Sequence, residues 1–208
     1  MVDPESPQYK AYAWLRGDPD LKRYSAWRRE QRFALATFLI ASNVESKLRA
    51  GFDSCLAFTS CGTSGRIKAI TQNKTKQNKT KGFPGFSPSL PPELTLLTDL
   101  VEIDVSRNVL STTSLEDFVL SAASSAPALQ VLGCNHCNFG KTTLPTEQLD
   151  LHSNLKEFRM EQSNITGTVP SEIGLLTLLK GFSLDRNRLD ANLAKEIGRL
   201  TQLEFGTI

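Results

Sequence analysis

Four stretches of this chain superpose on one another: LVEIDVSRNVL (Leu100 to Leu110), LQVLGCNHCNF (Leu129 to Phe139), LKEFRMEQSNI (Leu155 to Ile165) and LKGFSLDRNRL (Leu179 to Leu189). They share the pattern L-x-x-L-x-L-x-x-N-x-L, with Cys137 and Ser163 standing at the asparagine position in the second and third copies. The register points Asn108, Cys137, Ser163 and Asn187 are 29, 26 and 24 residues apart, and a fifth copy opens at Leu203. A self-similar period in the range of two to three dozen residues marks a repeat architecture.

A period and pattern of this kind identify leucine-rich repeats. In each unit the x-L-x-L-x stretch reads as a short strand with two apolar residues turned inward. The asparagine side chain ties down the bend that follows, so Cys or Ser there is tolerated at some cost. One unit cannot bury its apolar side alone, so neighbours stack and share an interior. The expected fold is an α/β solenoid: a right-handed superhelix with one curved parallel β-sheet and an N-terminal helical cap. The claim is carried by Ile103, Leu132, Phe158 and Phe182, which must align in one buried column. The second unit holds a helix of its own in SLEDFVLSAASSAP (114–127), where Ser114 caps toward Asp117.

Upstream, Ser6 followed by Pro7 opens one helix that Gly17-Asp18-Pro19 ends, and a second helix is expected over residues 24–42. The division is 1–50 as a helical cap, 51–82 as a cysteine-containing segment with a basic loop, and 83–208 as repeats. Charge changes sign at that last boundary. Residues 1–82 carry 15 Lys and Arg against 7 Asp and Glu, whereas 83–208 carry 9 against 15. A net charge of +2 with 39% hydrophobic residues gives no basis for a nucleic-acid partner. The longest apolar run, Phe33 to Ala41, has 9 residues, where a membrane span needs about 20. The opening MVDPESPQYK is acidic and proline-broken, unlike a secretory leader.

The segment GTVPSEIGLLTLL (167–179) resembles the spacer of plant-type repeats, and 90–100 and 193–203 match it more loosely. DPESPQYKAYAWLRGDP, followed by YSAWRREQRFALATF, resembles the N-terminal flank of the expanded leucine-rich-repeat proteins of diatoms. Those resemble plant receptor-like proteins in their repeats. The resemblance implies a disulfide between Cys55 and Cys61, a strand at 65–70 opening the solenoid, and a cell-surface or membrane-associated placement. Two features depart from the family: VESKLRAGF (44–52) replaces its glycine- and tryptophan-rich stretch, and QNKTK is duplicated at 72–76 and 77–81. Together with the missing upstream membrane segment and the short array, these are expected of a fragment or an imperfect gene assembly.

Side chains between the inward leucines face the concave side, where solenoids hold partners. The candidate ligand-binding residues are Glu102, Asp104, Arg107, Asn135, His136, Glu157, Arg159, Glu161, Asp185 and Arg186. Their mixed charge, acidic at one end, suits a protein or peptide ligand. Cys134-Asn-His-Cys137 has metal-site spacing, yet the repeat frame already accounts for both cysteines and further ligands are lacking, so no metal or other cofactor is expected. Of three glycosylation motifs, at Asn73, Asn78 and Asn164, the last is the best candidate, one place after a bend and expected to be exposed. The QNKTK loop reads as a solvated segment. No nucleophile with a partnered base, no phosphate loop and none of the kinase loops is present, so the chain is expected to be non-catalytic. The function expected is recognition, within a receptor-like protein. An intracellular scaffold or inhibitor, and a truncated non-functional paralogue, are the alternatives.

Overall fold

The computed structural model describes residues 3–43, 48, 55, 59–71, 90–108, 110, 114–190 and 194–208. The QNKTK duplication, the motifs at Asn73 and Asn78, and all of 44–52 except Leu48 lie outside the described residues.

Helix α1 (Pro7–Arg16) starts where its cap dictates: the Ser6 hydroxyl accepts the Tyr9 N–H at 3.2 Å, with proline in the first turn. A 3-10 turn (Leu21–Arg23) leads to α2 (Ala26–Ala41), so the helix expected from residue 24 begins two residues later, after Ser25. α2 is sided. Ala36 and Ile40 pack on Ala11 and Trp14 of α1, whereas Leu35, Phe38 and Leu39 join the same apolar cluster as Ile67, Leu90 and Leu94. Gln31 ties the helix to the next strand, accepting the Ile67 N–H at 2.8 Å and donating to the Gly65 carbonyl at 3.2 Å. Behind it, Arg32 and Asp18 form an ion pair at 2.5 Å, with side chains only 2% and 4% exposed, and the guanidinium lies against the rings of Trp14 and Tyr24.

Ten strands follow among the described residues: β1 (Thr59–Cys61), β2 (Ile67–Thr71), β3 (Glu102–Asp104), β4 (Val131–Gly133), β5 (Thr142–Thr143), β6 (Glu157–Arg159), β7 (Ile165–Gly167), β8 (Gly181–Ser183), β9 (Arg188–Leu189) and β10 (Phe205–Thr207). The main sheet runs β1-β2-β3-β4-β6-β8-β10. The β1–β2 pair is antiparallel and every later pair is parallel, so the parallel array opens at Ile67 and the sheet as a whole is mixed. The parallel register pairs Ile70 with Ile103, Ile103 with Leu132, Leu132 with Phe158, and Phe158 with Phe182. These five side chains are 0% exposed, and the Phe158 and Phe182 rings stack at 6.2 Å. The predicted column is therefore continuous. Large apolar side chains buried to this extent each contribute on the order of 2 kcal/mol.

The expectation of a single sheet needs correction. A second parallel sheet, β5-β7-β9, stacks the residues just after each bend. Its strands are two or three residues long because each coil turns again at once. On the far side of the coils the backbone closes through 3-10 turns at 92–96, 149–152, 171–175 and 195–199. The second unit uses helix α3 (Leu115–Ser125) there, and the Ser114 hydroxyl accepts the Asp117 N–H at 3.0 Å as its sequence predicts.

Candidate functional site

Each strand turns the residues that flank the buried column to the face opposite the core, and the next residues continue that row into the bend. At the bend Arg107, His136, Gln162 and Arg186 take positive φ, between 50° and 67°. The strain is compensated, because three of these residues still donate to the next coil. The N–H groups of Arg107, His136 and Gln162 reach Asn135, Glu161 and Asp185 carbonyls at 2.7, 2.7 and 3.0 Å. The left-handed bend thus keeps the ladder running while it lifts a side chain outward.

The bend is locked from inside by the asparagine positions. Asn187 donates from Nδ2 to the Met160 and Leu184 carbonyls at 2.7 and 2.6 Å, and its Oδ1 accepts the Ser163 and Ile165 N–H groups at 2.8 and 3.1 Å. Its reach is therefore into the preceding coil as well as its own bend. Ser163 does the same with fewer atoms: it donates to the Cys134 and Glu161 carbonyls and accepts the Cys137 N–H at 3.2 Å. The second coil has no polar side chain at this place. Cys137 is instead bonded to Cys134, with Cα atoms 5.5 Å apart and both residues 0% exposed. A second disulfide joins Cys55 to Cys61. All four cysteines are paired.

Of the candidate contact residues, Arg107, His136 and Arg186 are exposed, and Glu102, Asn135, Glu157, Arg159, Glu161 and Asp185 are half-buried. Asp104 departs from expectation. It is 3% exposed, because the facing residue in the next strand is Gly133 and the carboxyl group folds over that gap. It accepts the Ser106 N–H at 3.0 Å and the Ser106 hydroxyl, so it props the bend and is withdrawn from the surface.

The structure brings two groups of these residues together. Arg159 is engaged by Glu157 through Nε at 2.8 Å and through Nη2. Beside this pair, the Ser183 hydroxyl donates to Glu161 at 2.7 Å and lies 3.2 Å from Asp185, and the Thr207 hydroxyl donates to Asp185 at 3.1 Å. Asn135 Oδ1 accepts the Glu161 N–H at 2.9 Å and fixes the start of that bend.

Phe205 and Thr207 are the face residues that the sequence reading leaves out. Counting the same alternation from Leu203 turns both outward. Phe205 lays its ring over Gly181, where an added Cβ would meet the ring carbon at 2.2 Å, and it is still 51% exposed. Asn164 is half-buried, not exposed: its Nδ2 donates to the Gly140 carbonyl at 2.7 Å and the following Thr166 donates to the Thr142 carbonyl. The acceptor nitrogen of that motif is part of the second sheet's scaffold.

No family model matches the chain, and no curated protein matches it. Among solved structures it resembles the leucine-rich-repeat ectodomain of the receptor kinase SOBIR1 from Arabidopsis thaliana, with 15% identity over 85% of this chain and 90% of that one, at a TM-score of 0.56. It is also similar to pollen receptor kinase 3, with 17% identity over 77% of this chain and 83% of that one, at a TM-score of 0.54. A third similarity, to PEPR1-AtPEP1, has 26% identity over 55% of this chain at a TM-score of 0.41, and there the chain spans only 15% of the other's length. The first two show the fold: a leucine-rich-repeat solenoid.

Proposed function

We propose that this chain is a recognition module, the ligand-holding part of a receptor-like protein, and that it acts without catalysis by seating a protein or peptide on the outer face of the β2–β10 sheet. The observation that carries the reading is the separation of tasks within each coil. The inward residues are fully buried and in register across coils, whereas the outward residues are mostly polar, unlike from coil to coil, and solvent-facing at the bends. Stacking alone does not require that variety, and a surface of this kind is what selects one partner by charge and shape.

Helices α1 and α2 act as the cap of the solenoid: without them Ile67, Ile70 and Leu94 would face water. Residues 1–50, 51–82 and 83–208 are the corresponding units, with β2 already pairing as the first coil. Both disulfides support folding in an oxidising compartment, and hence the placement at the cell surface that the resemblance to the diatom proteins implies. Among the described residues no helix is long and apolar enough to cross a membrane.

The test is selection from a randomised displayed peptide library on the full chain. Binders are expected to lose affinity at least tenfold with Glu102→Lys or Asp185→Lys and to be indifferent to Leu175→Ser on the 3-10 turns. A library that yields no binder, or binders lost only with Leu175→Ser, would overturn the reading.

A further inference from the structure

We infer that the partner is a basic peptide, and that the β8–β10 end of the sheet face receives its arginine or lysine side chain between the carboxylates of Glu161 and Asp185 and the ring of Phe205. The inference rests on the recognition reading and narrows it to a partner chemistry.

Charge is the first ground. Along this part of the face Arg159 is already satisfied by Glu157 through two nitrogens. Glu161 and Asp185 are held in place by the neutral hydroxyls of Ser183 and Thr207. Arg186 stands 3.6 Å from Asp185 with its side chain 71% exposed, a separation and exposure at which solvent screens most of the attraction. Two fixed carboxylates that share a hydroxyl present a combined negative potential to whatever docks. A guanidinium or ammonium group answers it with charge-assisted hydrogen bonds.

Phe205 is the second ground, and it is independent of charge. One face of its ring is packed on Gly181, so its position is set by the strand and by the missing side chain beneath it. The side chain is nonetheless 51% exposed. A ring held against the strand and still half exposed is a platform for a cation or for its alkyl stem. Reach agrees with this. Phe205 and Thr207 are alternate residues of one strand, hence about 6.6 Å apart, and the Thr207 hydroxyl already touches Asp185. An arginine stacked on the ring therefore points its donors toward Asp185, which shares the Ser183 hydroxyl with Glu161.

The probe is a fluorescein-labelled Ser-Arg-Ser-Arg-Ser peptide, titrated by anisotropy against the full chain at low ionic strength. Ser-Glu-Ser-Glu-Ser and Ser-Leu-Ser-Leu-Ser peptides serve as controls. The arginine peptide is expected to bind at least tenfold more tightly than either, and to weaken as salt rises. Asp185→Asn and Glu161→Gln should each cost roughly tenfold, and Phe205→Ser several-fold, with circular dichroism confirming that each variant folds. If Phe205→Ser is unfolded, the two isosteric carboxamide variants carry the test. Equal binding of the three peptides, or arginine binding that ignores Asp185→Asn and Glu161→Gln, overturns the inference. If the displayed library instead selects acidic or apolar peptides that depend on Glu102 or Asn135, recognition stands and this inference falls. If the library selects nothing, the broader reading falls first.

Discussion

Replacing Asn187 by alanine should remove about 4 kcal/mol of stability and open one particular bend. The side chain makes four hydrogen bonds, two as donor and two as acceptor, to three different parts of the backbone. Truncation leaves the Ser163 and Ile165 N–H groups without their acceptor, and both residues are 0% exposed, so water does not replace it without movement. A buried donor left unpaired costs about 1–3 kcal/mol. Two such donors, with smaller losses at the Met160 and Leu184 carbonyls, which retain a second lone pair, give the figure. Asn187→Asp is the informative companion. It keeps the acceptor that Ser163 and Ile165 need, loses both donors, and sets a negative charge against two carbonyl oxygens. It should therefore destabilise while leaving the two amides protected in the molecules that remain folded. Urea denaturation gives the total, and hydrogen exchange at the Ser163 and Ile165 amides gives the location. A loss under about 1 kcal/mol with unchanged protection of those amides would show that the asparagine positions do not hold the bends.

Three further outcomes follow from buried groups. His152 is 3% exposed, with Nε2 2.9 Å from the Val119 carbonyl, and desolvation holds its pKa below the ordinary value of 6.5. The unfolded chain therefore takes up this proton first as pH falls, so stability present above about pH 6.5 is lost on acidification, at no more than about 1.4 kcal/mol per pH unit for one proton. His152→Gln should flatten that part of a melting-temperature profile, and an unchanged slope would exclude His152 as its source. Asp18→Ala leaves the buried Arg32 guanidinium without its carboxylate and should cost about 3–5 kcal/mol, whereas Asp18→Leu with Arg32→Met should cost much less; equal melts for the two variants would contradict this. Cys134→Ala with Cys137→Ala should lose roughly 2 kcal/mol of short-loop closure. Cys134→Ala with Cys137→Asn should recover part of it by restoring the polar rung, and a reductant should lower the melting temperature of the native chain further than that of the asparagine variant, which keeps only Cys55–Cys61.

The inward column was readable because period-two alternation inside a fixed frame leaves one choice of side for Ile103, Leu132, Phe158 and Phe182. The caps at Ser6 and Ser114 were readable because a hydroxyl followed by a helical stretch has a local partner three residues on. Features that depend on two coils at once were not. Asp104 lies on an outward position and reads as surface; it is buried because residue 133, one coil away, is glycine. The strands of the second sheet are too short to show alternation, so Asn164 reads as an exposed bend residue when its amide is spent on Gly140. Cys134 and Cys137 each fit the repeat frame separately, and the frame does not say that an inward strand position and the asparagine position bring their side chains within bonding distance. Phe205 is different: the frame does place it, once the fifth copy is counted through from Leu203.

These exceptions bear on how the face evolves a partner. In a solenoid the column and the asparagine positions stabilise each coil irrespective of what stands outward, so outward substitutions are nearly neutral to folding and free to respond to a ligand. Asp104 and Gly133 break that independence, because the acid is packed over the glycine and supports the bend through Ser106. Gly181 and Phe205 repeat the arrangement, with one difference: Phe205 remains half open to solvent. A side chain folded over a neighbouring glycine gains packing in both cases. Asp104 spends its polar group on the protein, whereas Phe205 keeps half of its surface in water. Gly133→Ala should therefore perturb the fold by displacing Asp104, and Gly181→Ala should perturb chiefly what Phe205 presents.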